Sequence, residues 1–486
     1  MSRQNFASLA GLSSGESYLR SPGAMAIANF SWARAVDDRP VERSGRHRDD
    51  AEPGLEMKTG PEGGRGPPGS AAALPHLTVA RMGHRGEGVL DTPQGQLHLP
   101  FALPGEEVAV ELDPRPRLVR VVRASQDRVA PHCPYFGDCG GCKLQHWGRQ
   151  PYLAWKRGLV LEALASQGFV RRDVEALVSA TIDAHGAGRR RVSFHARRVR
   201  GAMRTGFMRS GSHELIPIET CPILAPSLRA APRIAADVAG ALGGAAKPLD
   251  IAAAATETGL DVSVKGRGPL RRVERERLVE LAESHDLARL SNHREVIVAR
   301  RQPLLVMGGC RVPLPPGAFL QATALGEETL ARLADEATRG CRRIVDLFCG
   351  VGPFALRLAG RAQIRAYDGD REAVAVLSRA AREAQGLRPL TAESRDLFRR
   401  PLLPAELDNC DAAILDPPRQ GALAQTRELM RSRLERIVYV SCNVSTFARD
   451  AALMVRGGCR LEAVTPVDQF RYSAHVELVG VFTPPG

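Results

Sequence analysis

The stretch Arg343-Ile344-Val345-Asp346-Leu347-Phe348-Cys349-Gly350-Val351-Gly352-Pro353-Phe354 decides the fold of this chain. Its first half is a run of strand-favouring residues, its middle is a Gly-x-Gly turn, and a helix-like segment, Ala355 to Ala359, follows. Further strand-like runs occur at Ile364–Tyr367, Ala412–Leu415 and Ile437–Val440. Strands alternating with helices predict a doubly wound, mostly parallel α/β sheet, Rossmann-like, over residues 316–486. In such sheets, ligands bind outside the carboxyl ends of the strands.

The Gly-x-Gly turn lets a nucleotide-like ligand approach backbone N–H groups, and alone it is weak evidence. Its weight rises because Asp368 ends the next strand, near the ~20-residue offset at which an acid holds a ribose hydroxyl pair. A full G-x-G-x-x-G is absent, which disfavours a dinucleotide. S-adenosylmethionine, which has no phosphate, fits better. Cys349 beside the turn reads as packing.

Two later strand ends carry chemistry. Asp416-Pro417-Pro418-Arg419 follows the strand 412–415 and sets a carboxylate and rigid prolines at the sheet edge. Amine methyltransferases use a similar corner with an aromatic fourth residue, and Arg419 in that place weakens an amine target. Ile437-Val438-Tyr439-Val440-Ser441-Cys442-Asn443 runs a strand into a thiol. Taken alone, such a cysteine is a small buried residue. Methylating a pyrimidine carbon, however, requires one thiolate to add to C6 and one base to remove the C5 proton. Cys442 and Glu477, in Ser473-Ala474-His475-Val476-Glu477, are the natural pair of nucleophile and general base.

Four of the ten cysteines fall in a pattern: Cys133-x5-Cys139-x2-Cys142, then Cys221 in Thr220-Cys221-Pro222. Four thiolates suit either tetrahedral zinc or an iron–sulfur cluster. The long first loop, with Gly140 and Gly141, favours a [4Fe–4S] cluster.

Upstream, residues 1–72 are rich in Gly, Pro, Ser and Arg without apolar periodicity, which predicts a disordered extension. Residues 77–126 hold short strand-like runs punctuated by Gly and Pro, which predicts a small β-barrel. Residues 127–315 predict a mixed α+β domain. There Arg189-Arg190-Arg191 interleaves with Val192 and Phe194, which suits a strand with a phosphate-contacting face or a merely solvated one.

The net charge is +13. Residues 1–72 hold nine basic and nine acidic residues, so the excess lies beyond them and suggests a nucleic-acid partner. Only five of the 67 basic residues are lysine, and a compositional drift toward arginine would produce the same charge. No apolar run approaches the ~20 residues of a membrane span. With no secretory signal pattern either, a soluble cytoplasmic protein without membrane association is expected, with its cysteines serving metal or catalysis rather than disulfides.

Taken in order, these elements over residues 77–486 resemble the RNA (uracil-5-)-methyltransferases, specifically the iron–sulfur branch acting on 23S ribosomal RNA. The glycine-rich turn and the Leu103-Pro104-Gly105-Glu106 corner resemble a TRAM domain, an oligonucleotide-binding-type barrel. The remaining likeness rests on Cys133, Cys139, Cys142 and Cys221, on Phe319-Leu320-Gln321, and on Asp346 to Gly350. It continues through Asp416 to Arg419, Ser441-Cys442-Asn443 and His475-Val476-Glu477.

The resemblance implies a class I methyltransferase domain in which Gln321, Phe348, Asp368 and Asp416 contact S-adenosylmethionine. It makes Cys442 the nucleophile, Glu477 the base, and a monomer acting on single-stranded or looped RNA. The sequence departs from the family pattern at Pro353, at Asp368, at Val444, and at Arg471-Tyr472-Ser473. Two other readings stand beside this one: an amine methyltransferase, and a non-catalytic iron–sulfur RNA-binding or ribosome-assembly protein.

Overall fold

The computed structural model describes residues 75–112, 115–243 and 247–485, so the extension expected over 1–72 lies outside the described residues. The apolar runs around Asp346 pair into one eight-stranded sheet. In chain order its strands are β1 (Ile182–Asp183), β2 (Arg343–Leu347), β3 (Gln363–Asp368), β4 (Leu390–Ser394), β5 (Ala412–Leu415), β6 (Arg436–Ser441), β7 (Arg460–Asp468) and β8 (Glu477–Thr483). They lie side by side as β4-β3-β2-β5-β6-β8-β7-β1. The five strands from β4 to β6 are parallel, and β8 inserts antiparallel between β6 and β7. The chain runs outward from β2 to β4 and then returns to β5, so β2 and β5 flank the switch point where such sheets bind ligands.

Alternation along each strand feeds two separate cores. Ile344, Ile414, Val438 and Val440 pack on one face with Leu330, Ala334 and Leu377 from covering helices. Val345, Leu415, Ile437 and Tyr439 pack on the other with Phe447 and Met454. Burial of both faces is why these strands read as continuous apolar runs rather than alternating ones.

The domain division expected at residue 316 separates what the fold joins. The helix Arg149–Ser166 buries Leu159, Val160, Leu161 and Leu164 in the same core as Val345 and Tyr439. Residues 182–183 add β1 to the outer edge of β7 in parallel. The helix carries one apolar face that must be covered, and the open sheet supplies the cover.

The remaining middle region builds a seven-stranded sheet that is antiparallel except between Gly259–Lys265 and Arg289–Asn292. Helices Ala231–Ala241 and Arg272–Ser284 pack on it, and Cys133, Cys139, Cys142 and Cys221 lie in its core. The alanine-rich stretch near 235–255, featureless in sequence, supplies the first helix and the strand Leu249–Thr256.

Residues 76–123 form two three-stranded antiparallel sheets around Val79, Leu90, Leu99, Val108 and Val110. Among the described residues no helix is long and apolar enough to cross a membrane.

Candidate active site

Five strand ends bring their chemistry to one edge of the eight-stranded sheet. Phe348 to Gly352 follow β2, Asp368 closes β3, Asp416 follows β5 and Cys442 follows β6. Glu477 opens β8, and because β8 runs antiparallel, its first residue lies at this same edge, where Leu478 pairs with Ser441.

The turn after β2 is conformationally demanding. Phe348 has φ 63°, Gly350 φ 52° and Gly352 φ 94°, all in the left-handed region. A Cβ on Gly352 would stand 2.4 Å from Leu377 Cδ1, so any other residue must displace Leu377 and hold a left-handed φ. The Gly350 N–H donates to Asp368 Oδ2 (2.9 Å) and the Asp370 N–H to Oδ1 (2.7 Å), which fixes the carboxylate beside the turn. Its remaining lone pairs suit a hydroxyl pair. Phe348 lies 5.2 Å, centroid to centroid, from the exposed ring of Phe398, leaving an apolar wall. Asp346, fully buried, accepts the Ala355 N–H (3.0 Å) through one oxygen. Among the described residues its other oxygen has no partner.

Across the switch point, the Gln321 amide donates to Asp416 Oδ2 (3.0 Å), and Gln469 donates to Gln321 Oε1 (2.7 Å). Gln469 also favours the ionised form of the Glu477 carboxyl, whose Oε2 has no hydrogen-bond partner among the described residues. Desolvation in the cleft pushes the Asp416 carboxyl up to about 7, against the Gln321 bond. Burial, then the neighbouring Asp416, pushes Glu477 up to about 8, opposed by Gln469, Arg191 and Arg419. Glu477 is only 2% exposed, where a lone strand-end glutamate would ordinarily face solvent.

Cys442 is half-buried, unlike the other nine cysteines. Burial, then Glu477 and Asp416, pushes its thiol up to about 12, while Arg419 works the other way. The Glu477 carboxyl therefore perturbs the thiol from the neighbouring strand.

Asn443 caps the helix Val444–Arg456 by accepting the Ser445 N–H (3.0 Å). It also donates to the Arg419 carbonyl (3.0 Å), tying the Asp416–Arg419 corner to the thiol's loop. The helix start is thus held with Val444 at its first position.

Arg189 and Arg191 do not form the phosphate-contacting strand face that alternation suggested. Arg189 is 4% exposed, with its guanidinium 5.6 Å from the Phe470 ring centroid. Arg191 lies 4.6 Å from the Phe319 ring centroid. Desolvation, then Arg189 and Arg190, pushes Arg191 down to about 9, while Glu477 and Cys442 pull it back. The strand begins only at Arg191, so the residues before it obey tertiary contacts rather than strand alternation.

Cys133, Cys139, Cys142 and Cys221 are 0%, 1%, 1% and 8% exposed. Among the described residues no group of three or more His, Cys, Asp or Glu side chains is arranged to hold a metal ion. The donors nevertheless suit a soft metal in kind. Burial pushes the Cys142 thiol up to about 12, and the Arg189 guanidinium opposes this. Cys221 is raised by burial, by Cys142 and by Cys133, with Arg189 again opposing.

Gln469 is the participant that sequence reasoning missed. An amide directly after a strand is too common a signal, and only its position between Gln321 and Glu477 singles it out.

The model of the tRNA (Uracil-5-)-methyltransferase family matches residues 314–484. An uncharacterized RNA methyltransferase of Brucella suis biovar 1 is 45% identical over 84% of this chain and 97% of its own length. A protein of Chromohalobacter salexigens named 23S rRNA (uracil(1939)-C(5))-methyltransferase is 33% identical over 84% of this chain and 89% of its own. Among solved structures, the Pyrococcus abyssi tRNA (uracil-54, C5)-methyltransferase in complex with S-adenosyl-L-homocysteine shares the fold. Its TM-score is 0.64 at 21% identity, covering 84% of this chain and 99% of that one. This chain belongs to the RNA (uracil-5-)-methyltransferase family.

Proposed function

We propose that this enzyme methylates C5 of a uridine in 23S ribosomal RNA by covalent catalysis, acting as a monomer in the cytoplasm. The observation that carries the reading is Cys442 just past the end of β6 beside the buried Glu477 that opens the neighbouring β8, with Glu477 raising the thiol's affinity for its proton.

S-adenosylmethionine supplies an electrophilic methyl group. Its adenosine would be held by Asp368 at the ribose and by Phe348 at the apolar wall, with Gln321 and Asp416 bordering the methyl end. The strained turn at Phe348, the crowded Gly352 and the unpartnered oxygen of Asp346 fit a site completed by a ligand. Cys442 loses its thiol proton and, as the thiolate, bonds through Sγ to uracil C6, which pushes the C5=C6 electrons onto C5 and makes it nucleophilic. C5 takes the methyl group, Glu477 removes the C5 proton, and the C6–S bond breaks as the C5=C6 bond re-forms. Arg419 favours the thiolate and Asp416 opposes it. The target base must leave its stack to reach Cys442, so looped or single-stranded RNA is the substrate.

We assign Cys133, Cys139, Cys142 and Cys221 to a [4Fe–4S] cluster; their shared burial in one core and the Arg189 countercharge support this. Residues 76–123 would grip RNA as a TRAM-type barrel, which their two-sheet architecture supports. Identity of 33% to the Chromohalobacter relative supports the ribosomal target.

The test is incubation with C5-tritiated RNA and methyl-labelled cofactor. Tritium should be released in step with methyl transfer, and methyl transfer without release would overturn carbon methylation. Iron and sulfide analysis of anaerobically purified protein, with its absorption spectrum, tests the cluster.

A further inference from the structure

The segment between Asp468, which ends β7, and Glu477, which opens β8, is a loop joining two neighbouring antiparallel strands. Such connections ordinarily run over the surface in water. This one is wrapped around a buried ammonium. Lys156, on the helix Arg149–Ser166, is 0% exposed. Its Nζ donates to Asp468 Oδ1 (2.5 Å), to the Phe470 carbonyl (3.3 Å) and to the His475 carbonyl (2.7 Å). An ammonium has three N–H groups, and all three serve this loop.

One helical turn earlier, the Tyr152 hydroxyl donates to Asp468 Oδ2 (2.7 Å) and accepts the Tyr472 N–H (2.8 Å). Tyr472 is a bulky residue at φ 66°, a conformation that persists only where the surroundings impose it. Its carbonyl accepts the Lys143 N–H (2.6 Å), beside Cys142. At the other side of the loop, Gln469 donates to Gln321 Oε1 (2.7 Å) and accepts the Ala322 N–H (2.9 Å).

A fully buried ion pair is poor evidence for stability, because apolar replacements of similar volume often serve equally well. A hairpin between two core strands needs no internal cation to form. What Lys156 adds is a fixed path for the loop whose last residue is Glu477.

We infer that Lys156 is a positioning residue for the general base: by clamping Asp468 and the Phe470 and His475 carbonyls, it sets where the Glu477 carboxyl stands relative to Cys442. The loop's other supports, Lys143 and Tyr152, flank the four-cysteine core, so base and core share one scaffold. The inference rests on the C5-methylation reading.

Timing provides the test, because Glu477 acts only after the Cys442 adduct has formed and been methylated. Full-length wild type, Lys156→Met and Tyr152→Phe are each followed in a single turnover with C5-tritiated RNA and methyl-labelled cofactor. Methyl transfer, tritium release and covalent enzyme–RNA adduct on denaturing gels are read together. The expected result for Lys156→Met is tritium release slowed about tenfold or more relative to methyl transfer, with methylated adduct accumulating. Tyr152→Phe should show the same split, smaller, and decides alone should Lys156→Met fail to fold. Parallel loss of methyl transfer and tritium release, without adduct, would overturn the inference. Wild type that transfers methyl without releasing tritium overturns the underlying reading, and the inference with it.

Discussion

Two thiol sites in this molecule have opposite surroundings. Cys442 is half-buried at a sheet edge among carboxyl groups, with Glu477 and Asp416 both raising its affinity for a proton. Cys133, Cys139, Cys142 and Cys221 are sealed in the core of the neighbouring sheet, where the buried Arg189 guanidinium faces Cys142 and Cys221. A thiol that must meet a base needs an opening and acid–base neighbours. Thiols that hold a metal need shielding and positive charge nearby, because they bind only as thiolates. The acids around Cys442 suit the proposed thiol–base pair, and the arginine beside the four cysteines suits the proposed cluster.

The comparison breaks if the two sites respond alike to mutation. Cys442→Ala should lower methyl transfer on the order of 10⁴-fold or more while leaving iron content and thermal stability at wild-type levels. Cys142→Ser should do the reverse in kind. Iron content should fall and the melting temperature drop by several degrees, from roughly 2–4 kcal/mol of lost stability, with residual methyl transfer by whatever fraction stays folded. Calorimetry and single-turnover assays on both variants decide it; a stable, iron-replete Cys142→Ser protein would refute the sealed-site assignment.

A pH series sharpens the open site. Glu477 holds its proton up to about 8 in the folded chain, against an ordinary 4.5. Between those values the folded state binds the proton more tightly than the unfolded one, so this group's contribution to stability falls as pH rises through the window. Glu477→Gln removes that dependence. Relative to wild type, the variant should therefore gain about 1–4 kcal/mol between pH 5 and pH 9. Urea melts at both pH values check it, and a difference that stays constant with pH would refute it. Asp416, raised to about 7, acts with the same sign at lower pH.

The smallest effect is expected at the turn. Gly352→Ala combines a positive φ with a methyl group forced against Leu377, and should cost roughly 1–3 kcal/mol with weaker S-adenosylmethionine binding by calorimetry. Unchanged stability and binding would show that the turn yields freely.

Some of this was legible residue by residue. The runs 343–348 and 437–440 read as strands because both faces are buried and their interior positions, Asp346 apart, are apolar. Glu477 read alone as a surface strand residue, and its burial was not legible, because its strand's pairing with β6 and β7 is a long-range contact. The arginines at 189–191 misled for a related reason. Strand alternation holds only within a strand, and this one starts at Arg191. Lys156 and Gln469 gave no signal at all, since a lysine in a helix and an amide after a strand ordinarily face water.

By itself the sequence determined the doubly wound sheet, the glycine turn beside Asp368, the thiol at Cys442 and the grouping of four cysteines. These depend on local chemistry: side-chain apolarity, the freedom of glycine and the spacing of donors. Only the tertiary structure decided that Glu477 stands buried against Cys442. It alone decided that Arg189 turns inward to the cysteines, and that a helix from the middle of the chain covers the eight-stranded sheet and carries the ammonium inside the loop that leads to Glu477. Such contacts form where distant segments cover one another's apolar faces, and no local pattern encodes which segment will arrive.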